Sequence, residues 1–203
     1  MSWIKIIEYD QADNHLKAIY DKVKGADGAI DNILKAHSLR PHTLTGHMAL
    51  YKNVLHNLNN LLPKWYLETI GVYVSILNKC GYCVDHHFAG LQRLIKNEND
   101  WDAAKINKCL KADSPQQYFK SKLLAGLEYA KVLTLTPAKI EKNRIDEMRK
   151  SGLSDGEILE INQVTAYFNY ANRTVLGLGI ETDGEQLGLS PNDSNDPNNW
   201  EHR

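Results

Sequence analysis

The sequence of 203 residues has little cysteine, no excess of either charge and no long apolar segment. Three cysteines, an odd number, argue against the disulfide framework of a small secreted domain. The formal net charge of −1 at pH 7 provides no basic surface for nucleic acid or for an anionic membrane. No run approaches the roughly eighteen apolar residues of a membrane-spanning helix, and the N-terminus lacks the apolar core of a signal peptide. We therefore expect a cytoplasmic protein that binds neither nucleic acid nor membranes.

Strand-like alternation is also scarce, whereas apolar residues recur every three or four positions along most of the chain, as in amphipathic helices. Helix-starting signals accompany this pattern, because proline favours the first turn of a helix and a serine followed by a glutamate three residues later forms a capping box. These signals lie at Pro41, Pro63, Pro115, Pro137 and Ser154 with Glu157. The predicted fold class is all-α, a single compact domain of about seven or eight helices.

The helical domain is expected to cover residues 1–183, followed by a polar tail over residues 184–203. The tail is rich in Asn, Asp, Pro and Ser and cannot form a core of its own. We expect it to be mobile or to dock, through Trp200, on the body or on a neighbouring subunit.

Within the body, residues 97–99 belong to a predicted loop, and Cys109 is expected to be a small core residue rather than a third redox thiol.

The residues best suited to catalysis lie in one stretch between Glu68 and His87. The apolar periodicity after Cys83 predicts a helix that begins near Cys80, which places Cys80, Cys83 and His87 on one face. A cysteine in the first turn of a helix, beside an imidazole, has its pKa lowered into about the 3.5–7.5 range. Two cysteines separated by two residues can close into a disulfide and reopen, so that one attacks and the other resolves. This arrangement predicts thiol redox chemistry.

Glu68 needs a turn in the chain to reach this face, because on one unbroken helix it would lie about 18 Å from Cys80. The weak helix formers at 78–81 predict such a turn. If the two flanking helices pack antiparallel, Glu68 comes level with His87 and its carboxylate can orient the imidazole. Burial in the apolar helix would raise the pKa of Glu68. The alternative is an exposed position near the helix start, five residues after Pro63.

The set of Glu68, Cys80, Cys83 and His87 resembles the signature of a known superfamily, the AhpD-like alkylhydroperoxidases and carboxymuconolactone decarboxylases. Twelve residues lead from the acid to the first cysteine, two separate the cysteines and three precede the histidine. Within the superfamily, the chain is most similar to the branch called peroxidase-related enzymes.

Two further segments support the resemblance. Residues 31–41 resemble the lead-in segment of that branch, and residues 167–173 resemble its closing helix, so the likeness covers most of residues 10–180. The resemblance implies an all-α domain that assembles as a homo-oligomer, from dimers and trimers to hexamers.

The resemblance also implies a role for each residue of the motif. Cys83 would be the peroxidatic thiol, Cys80 the resolving thiol, His87 the base that takes the thiol proton through water, and Glu68 the acid that completes the relay. The implied activity is that of a thiol-dependent peroxidase acting on organic hydroperoxides or hydrogen peroxide. It requires no cofactor and no metal, and a thiol or dithiol protein would reduce the enzyme. Tyr82 departs from the pattern, since AhpD proper has a histidine there, so the relay and the reductant are expected to differ.

Three alternatives compete with the peroxidase interpretation. The first is the decarboxylase or isomerase chemistry of the superfamily, whose members generally lack the cysteine pair. The second is a redox sensor or zinc protein, with ligands drawn from Cys80, Cys83, Asp85, His86 and His87, although one helix cannot easily surround a tetrahedral ion. The third is that both cysteines are ordinary buried thiols.

Overall fold

The chain folds into helices joined by short loops in a computed structural model that describes residues 2–25, 27–96 and 100–202. The helices are α1 (Asn14–Val23), α2 (Asn32–Lys35), α3 (Pro41–Leu55), α4 (Lys64–Leu77), α5 (Gly81–Ile95), α6 (Ala103–Lys111), α7 (Ser121–Leu135), α8 (Lys142–Lys150) and α9 (Asp155–Leu178). These described residues contain no β-strand, and α2 is a single turn. The all-α prediction is confirmed, with eight helices of nine residues or more besides α2. The predicted loop at 97–99 lies outside the described residues.

Local signals set some helix ends and not others. Ser154 caps α9 in the predicted capping box with Glu157, and Pro41 is the first residue of α3. Two of the proline-led helices begin later than predicted, because Pro115 and Pro137 each start a separate 3-10 turn, over residues 115–117 and 137–139. The fixed φ of proline suits a short 3-10 turn as well as an α-helix, so proline alone does not distinguish them.

Helix α4 occupies the centre of the fold and packs against α5, α7 and α9. Every residue from Tyr66 to Ser75 is buried, as expected for a helix that is apolar nearly all round. Gly71 allows α9 to come close, since a Cβ at this position would lie 2.2 Å from Cζ of Phe168. Glu68 is therefore only 2 % exposed, which excludes the alternative of an exposed helix start.

Helices α4 and α5 form the predicted antiparallel hairpin. Lys79 adopts a left-handed conformation with a φ of 57°, and the backbone N–H of Cys80 donates to the carbonyl of Ser75. From this turn the two helices run side by side, so that Glu68 on α4 meets His87 on α5. The tight turn thus brings the acid of the motif to its histidine.

The described part of the tail lies on the helical body of the same chain. Trp200 is 5 % exposed and packs into the main core, where the ammonium of Lys22 lies 5.8 Å from its ring centroid. The buried ammonium of Lys52 donates to the carbonyl of Asn192. The irregular backbone of the tail therefore packs against α1 and α3.

Two other features of the body bear on the sequence expectations. Cys109 is buried in the main core on α6, and its thiol donates to the carbonyl of Ile106. No helix in the described part of the chain is both long enough and apolar enough to cross a membrane.

Candidate active site

The two cysteines of the motif form a reduced pair at the start of α5. Cys80 is the N-cap residue of the helix and Cys83 lies in its first turn. Their sulfur atoms are 3.1 Å apart, compared with about 2.05 Å in a disulfide. Both thiols are free and buried. The pair is therefore close enough to form a disulfide with only a small movement.

The two thiols differ in acidity. A hydrogen bond with Cys83 lowers the pKa of Cys80 in spite of burial, and the backbone N–H of Cys83 lowers it further. The same sulfur contact, together with burial, raises the pKa of Cys83 well above its usual value, against a smaller opposing effect of Asn172. A negative charge at Cys80 also benefits from the N-terminus of α5. The expected acidic thiol is therefore Cys80, while Cys83 retains its proton in the resting pair.

Glu68 and His87 form a hydrogen-bonded pair between α4 and α5. The Nδ1 atom of His87 lies 2.8 Å from Oε2 of Glu68. The imidazole packs edge-on against Phe168, with ring centroids 4.5 Å apart. The structure thus brings together the acid and the histidine of the motif as predicted.

The expected increase in the pKa of Glu68 is wrong. Burial is the largest single effect and raises the pKa of Glu68. The charge and hydrogen bond of His87, with contributions from His56 and Lys64, outweigh it and lower the pKa below its usual value. Glu68 is therefore an ionised partner of His87 rather than an acid that exchanges protons near neutrality.

A second imidazole–carboxylate pair lies beside the first. The Nε2 atom of His86 is 2.9 Å from Oε2 of Glu185, a residue of the tail whose side chain is 5 % exposed. The hydroxyl of Tyr82 donates to Oε1 of Glu185 at 3.1 Å, and the backbone N–H of Asn32 also donates to this carboxylate. Sequence reasoning missed Glu185, because it lies in a segment interpreted as a tail. The only signal in the sequence was the unassigned His86 next to His87.

The reactive groups surround one small cavity. Its volume is about 40 Å³, which is room for roughly three water molecules. The ionisable residues that line it include Asp31, His47, Glu68, Cys83, His86 and His87. Residues 188–190 and His202 of the tail close it on another side, and Cys80 is not among its lining residues. Of the two cysteines, Cys83 is thus the one that lines this space.

Asp31 is a further acid at the cavity. Burial raises the pKa of Asp31 from its ordinary value of 3.8 to about 6, and the charge of Glu185 adds to this effect. The opposing charges of His86, His87 and Lys35 reduce the shift without cancelling it. In the folded protein Asp31 consequently binds its proton more tightly than in the unfolded chain.

Replacing Asp31 with asparagine should stabilise the protein at pH 8. Between pH 3.8 and about 6 the folded state binds more protons than the unfolded state, so wild-type stability falls as the pH rises through this range. Above it, Asp31→Asn should increase the free energy of unfolding by up to about 3 kcal/mol. Urea denaturation at pH 8 and pH 3.5 tests this, with the exposed Asp10→Asn as control. An equal effect of Asp31→Asn at both pH values would contradict it.

The candidate zinc ligands do not converge. His86 and His87 bind different carboxylates, and Asp85 is exposed. Across residues 2–25, 27–96 and 100–202, no three side chains of His, Cys, Asp or Glu are grouped so that they could hold a metal ion.

Comparison with known proteins identifies the fold. No family model and no curated protein matches this chain. Similar solved structures include the alkylhydroperoxidase AhpD core of an uncharacterized peroxidase-related protein from Ralstonia eutropha JMP134, with a TM-score of 0.72 and 21 % identity over 89 % of this chain and 91 % of that one. An uncharacterized peroxidase-related protein from Silicibacter sp. TM1040 has a TM-score of 0.69 and 24 % identity over the same shares.

A third similar structure has a different activity in its name. The debrominase Bmp8 in complex with 2,3,4-tribromopyrrole has a TM-score of 0.62 and 15 % identity, over 90 % of this chain and 91 % of that one. At such identities the similarity establishes the fold alone. The chain has the AhpD-like fold, which confirms the likeness found in its sequence at the level of architecture.

Proposed function

We propose that this protein is a thiol-dependent peroxidase that reduces hydrogen peroxide or organic hydroperoxides through a Cys80–Cys83 dithiol/disulfide cycle. One observation carries the proposal: Cys83, whose sulfur lies 3.1 Å from that of Cys80, lines the same cavity as the hydrogen-bonded pair of His87 and Glu68. This arrangement combines a nucleophile, a base with its orienting acid, and a second thiol for resolution.

The proposed cycle begins at Cys83, because its side chain lines the cavity. His87, oriented by Glu68, takes the thiol proton, and the sulfur attacks one peroxide oxygen. A sulfur–oxygen bond forms, the oxygen–oxygen bond breaks, and Cys83 becomes a sulfenic acid while an alcohol or water leaves. The thiolate of Cys80 then attacks the sulfur of Cys83 and a disulfide forms with release of water. In sum, two thiols and one hydroperoxide give a disulfide, an alcohol and water.

The acidity of Cys80 suits the resolving step. Its lowered pKa favours a thiolate next to the sulfur that is oxidised, which assists disulfide formation. An external thiol or dithiol protein would return two electrons to the pair and complete the cycle. We propose no cofactor for these steps.

The adjacent thiols favour a peroxide over the substrates of the competing activities. The cavity has room for about three water-sized molecules, which suits hydrogen peroxide or the peroxy group of a larger hydroperoxide. A decarboxylase or isomerase also has no need for two adjacent thiols. A redox sensor would use the same disulfide, and only turnover separates it from a peroxidase.

Thiol counting during peroxide consumption tests the proposal. Mass spectrometry of the reduced protein after hydrogen peroxide should show the loss of two thiols and a bond between Cys80 and Cys83, while Cys109 stays reduced. With excess dithiothreitol, the protein should consume many equivalents of peroxide. Disulfide formation without turnover would indicate a sensor, and two intact thiols would contradict redox chemistry at this site.

A further inference from the structure

We propose that His86, held in place by Glu185, donates a proton to the oxygen that leaves during peroxide reduction. The inference rests on the proposed peroxidase function and assigns roles to two residues outside the cysteine motif. His86 would be a catalytic residue, and Glu185 would position it.

The first support is the location of His86. Its side chain lines the same small cavity as Cys83. Because this cavity has room for only a few water-sized molecules, a peroxide that reaches the sulfur of Cys83 also lies near the imidazole of His86. The ring stacks on Tyr82, with centroids 4.5 Å apart and an interplanar angle of 30°, which restricts its orientation.

The second support is the hydrogen bonding of the two ring nitrogens. Nε2 of His86 is bound to the carboxylate of Glu185. Nδ1 has no hydrogen-bond partner among the described residues, so it can bind a substrate. With Nε2 held by Glu185, a proton on Nδ1 can be donated to a substrate in the cavity.

The third support is the duplication of the imidazole–carboxylate pair. The proposed role of His87 and Glu68 is to receive the proton of Cys83, so a separate group is needed to donate one to the departing oxygen. The departing oxygen is strongly basic and needs a donor at the same moment. Two neighbouring histidines on α5, each with its own buried carboxylate, can carry out both transfers without competing for one proton.

The proton and electron balance of the step is complete. An electron pair of the Cys83 thiolate forms the sulfur–oxygen bond, and the pair of the broken oxygen–oxygen bond stays on the departing oxygen. That oxygen takes the proton from Nδ1 of His86 and leaves as water or an alcohol. His86 becomes neutral and regains a proton from water before the next cycle.

The choice of oxidant separates this role from a structural one. Hydrogen peroxide releases a strongly basic oxygen, whereas peroxynitrous acid, which is also small, releases nitrite and needs no proton donor. In stopped-flow measurements of single-turnover thiol oxidation, His86→Gln should slow the reaction with hydrogen peroxide ~100-fold. The same variant should react with peroxynitrous acid within about threefold of wild type, because the thiol and its base are unchanged.

Glu185→Gln tests the positioning residue and keeps the proposal falsifiable if His86→Gln fails to fold. The amide retains the size of the side chain and removes its charge, so the rate with hydrogen peroxide should fall ~10-fold and the rate with peroxynitrous acid should not. Asp193→Asn is the matched control. Asp193 is another tail carboxylate, 3.3 Å from Nδ1 of His56, and it does not line the cavity of Cys83. Its replacement should leave both rates unchanged.

The outcomes distinguish this inference from the proposed function. If wild-type thiols react with peroxynitrous acid but not with hydrogen peroxide, the peroxidase function is wrong and the inference falls with it. If wild type reacts with both oxidants and His86→Gln slows them equally, His86 only maintains the cavity and the inference alone is overturned. Unchanged rates of His86→Gln with both oxidants would overturn it as well.

Discussion

Replacing Cys83 with serine is expected to reduce peroxide turnover by at least ~1,000-fold, because a serine hydroxyl cannot supply the thiolate that attacks the peroxide. Cys80→Ser should slow turnover at a later step. In that variant the sulfur of Cys83 still attacks and gives a sulfenic acid that lacks its resolving partner in the chain, so that dithiothreitol must reduce it directly. The measurement is peroxide consumption in the presence of dithiothreitol, together with mass analysis of the protein after one equivalent of peroxide.

Trapping of the sulfenic acid decides between the two possible attacking sulfurs. A dimedone-type reagent should label Cys83 in the Cys80→Ser variant and nothing in the Cys83→Ser variant. The opposite pattern would show that Cys80, the thiol with the lowered pKa, attacks the peroxide first. The position of Cys83 at the cavity would then not decide which sulfur attacks. Cys109→Ser is the control and should retain full turnover, because Cys109 lies in the core on α6.

The part of the site that the sequence predicted depends on local spacing. The turn at 78–81 follows from weak helix formers between two apolar helical segments, and the antiparallel packing follows from the turn. Once Cys80 begins a helix, the positions of Cys83 and His87 are fixed by 3.6 residues per turn. Glu68 then meets His87 by geometry alone, and the structure shows this contact at 2.8 Å.

Two properties of the site were beyond this reasoning, for different physical reasons. The pKa of Glu68 results from opposing effects of burial and of neighbouring positive groups, and spacing does not show which is larger. The contact of Glu185 with His86 joins residues 99 positions apart through an irregular segment. Such a segment has no periodicity from which its path can be predicted. Hydrophobic pattern therefore located the helices and the motif, but not the second acid of the cavity.

Replacing His87 with glutamine is expected to slow oxidation of Cys83 ~100- to 1,000-fold, because the raised pKa of the Cys83 thiol makes a base necessary. Glu68→Gln should have a smaller effect, ~10-fold, since the imidazole remains and only its orienting charge is lost. Stopped-flow measurement of thiol loss gives both rates.

Removing His87 alone also leaves a buried carboxylate without its partner, which destabilises the fold by about 1–3 kcal/mol. The double variant Glu68→Gln with His87→Gln removes this charge and controls for the loss of stability.

The rates of His87→Gln should depend on the oxidant in a different way from those of His86→Gln. His87 acts on the thiol before any bond to oxygen forms, so His87→Gln should slow thiol oxidation by hydrogen peroxide and by peroxynitrous acid by the same factor. His86 acts on the departing oxygen, so its loss should affect only the oxidant that needs a proton. If His86→Gln and His87→Gln changed the rates with the two oxidants by the same factors, the imidazoles at 86 and 87 would serve one proton transfer rather than two. Because the pKa of Glu68 is held below its usual value, its carboxylate should stay ionised beside His87 as the pH falls, and it should protonate only at a lower pH than an ordinary glutamate does.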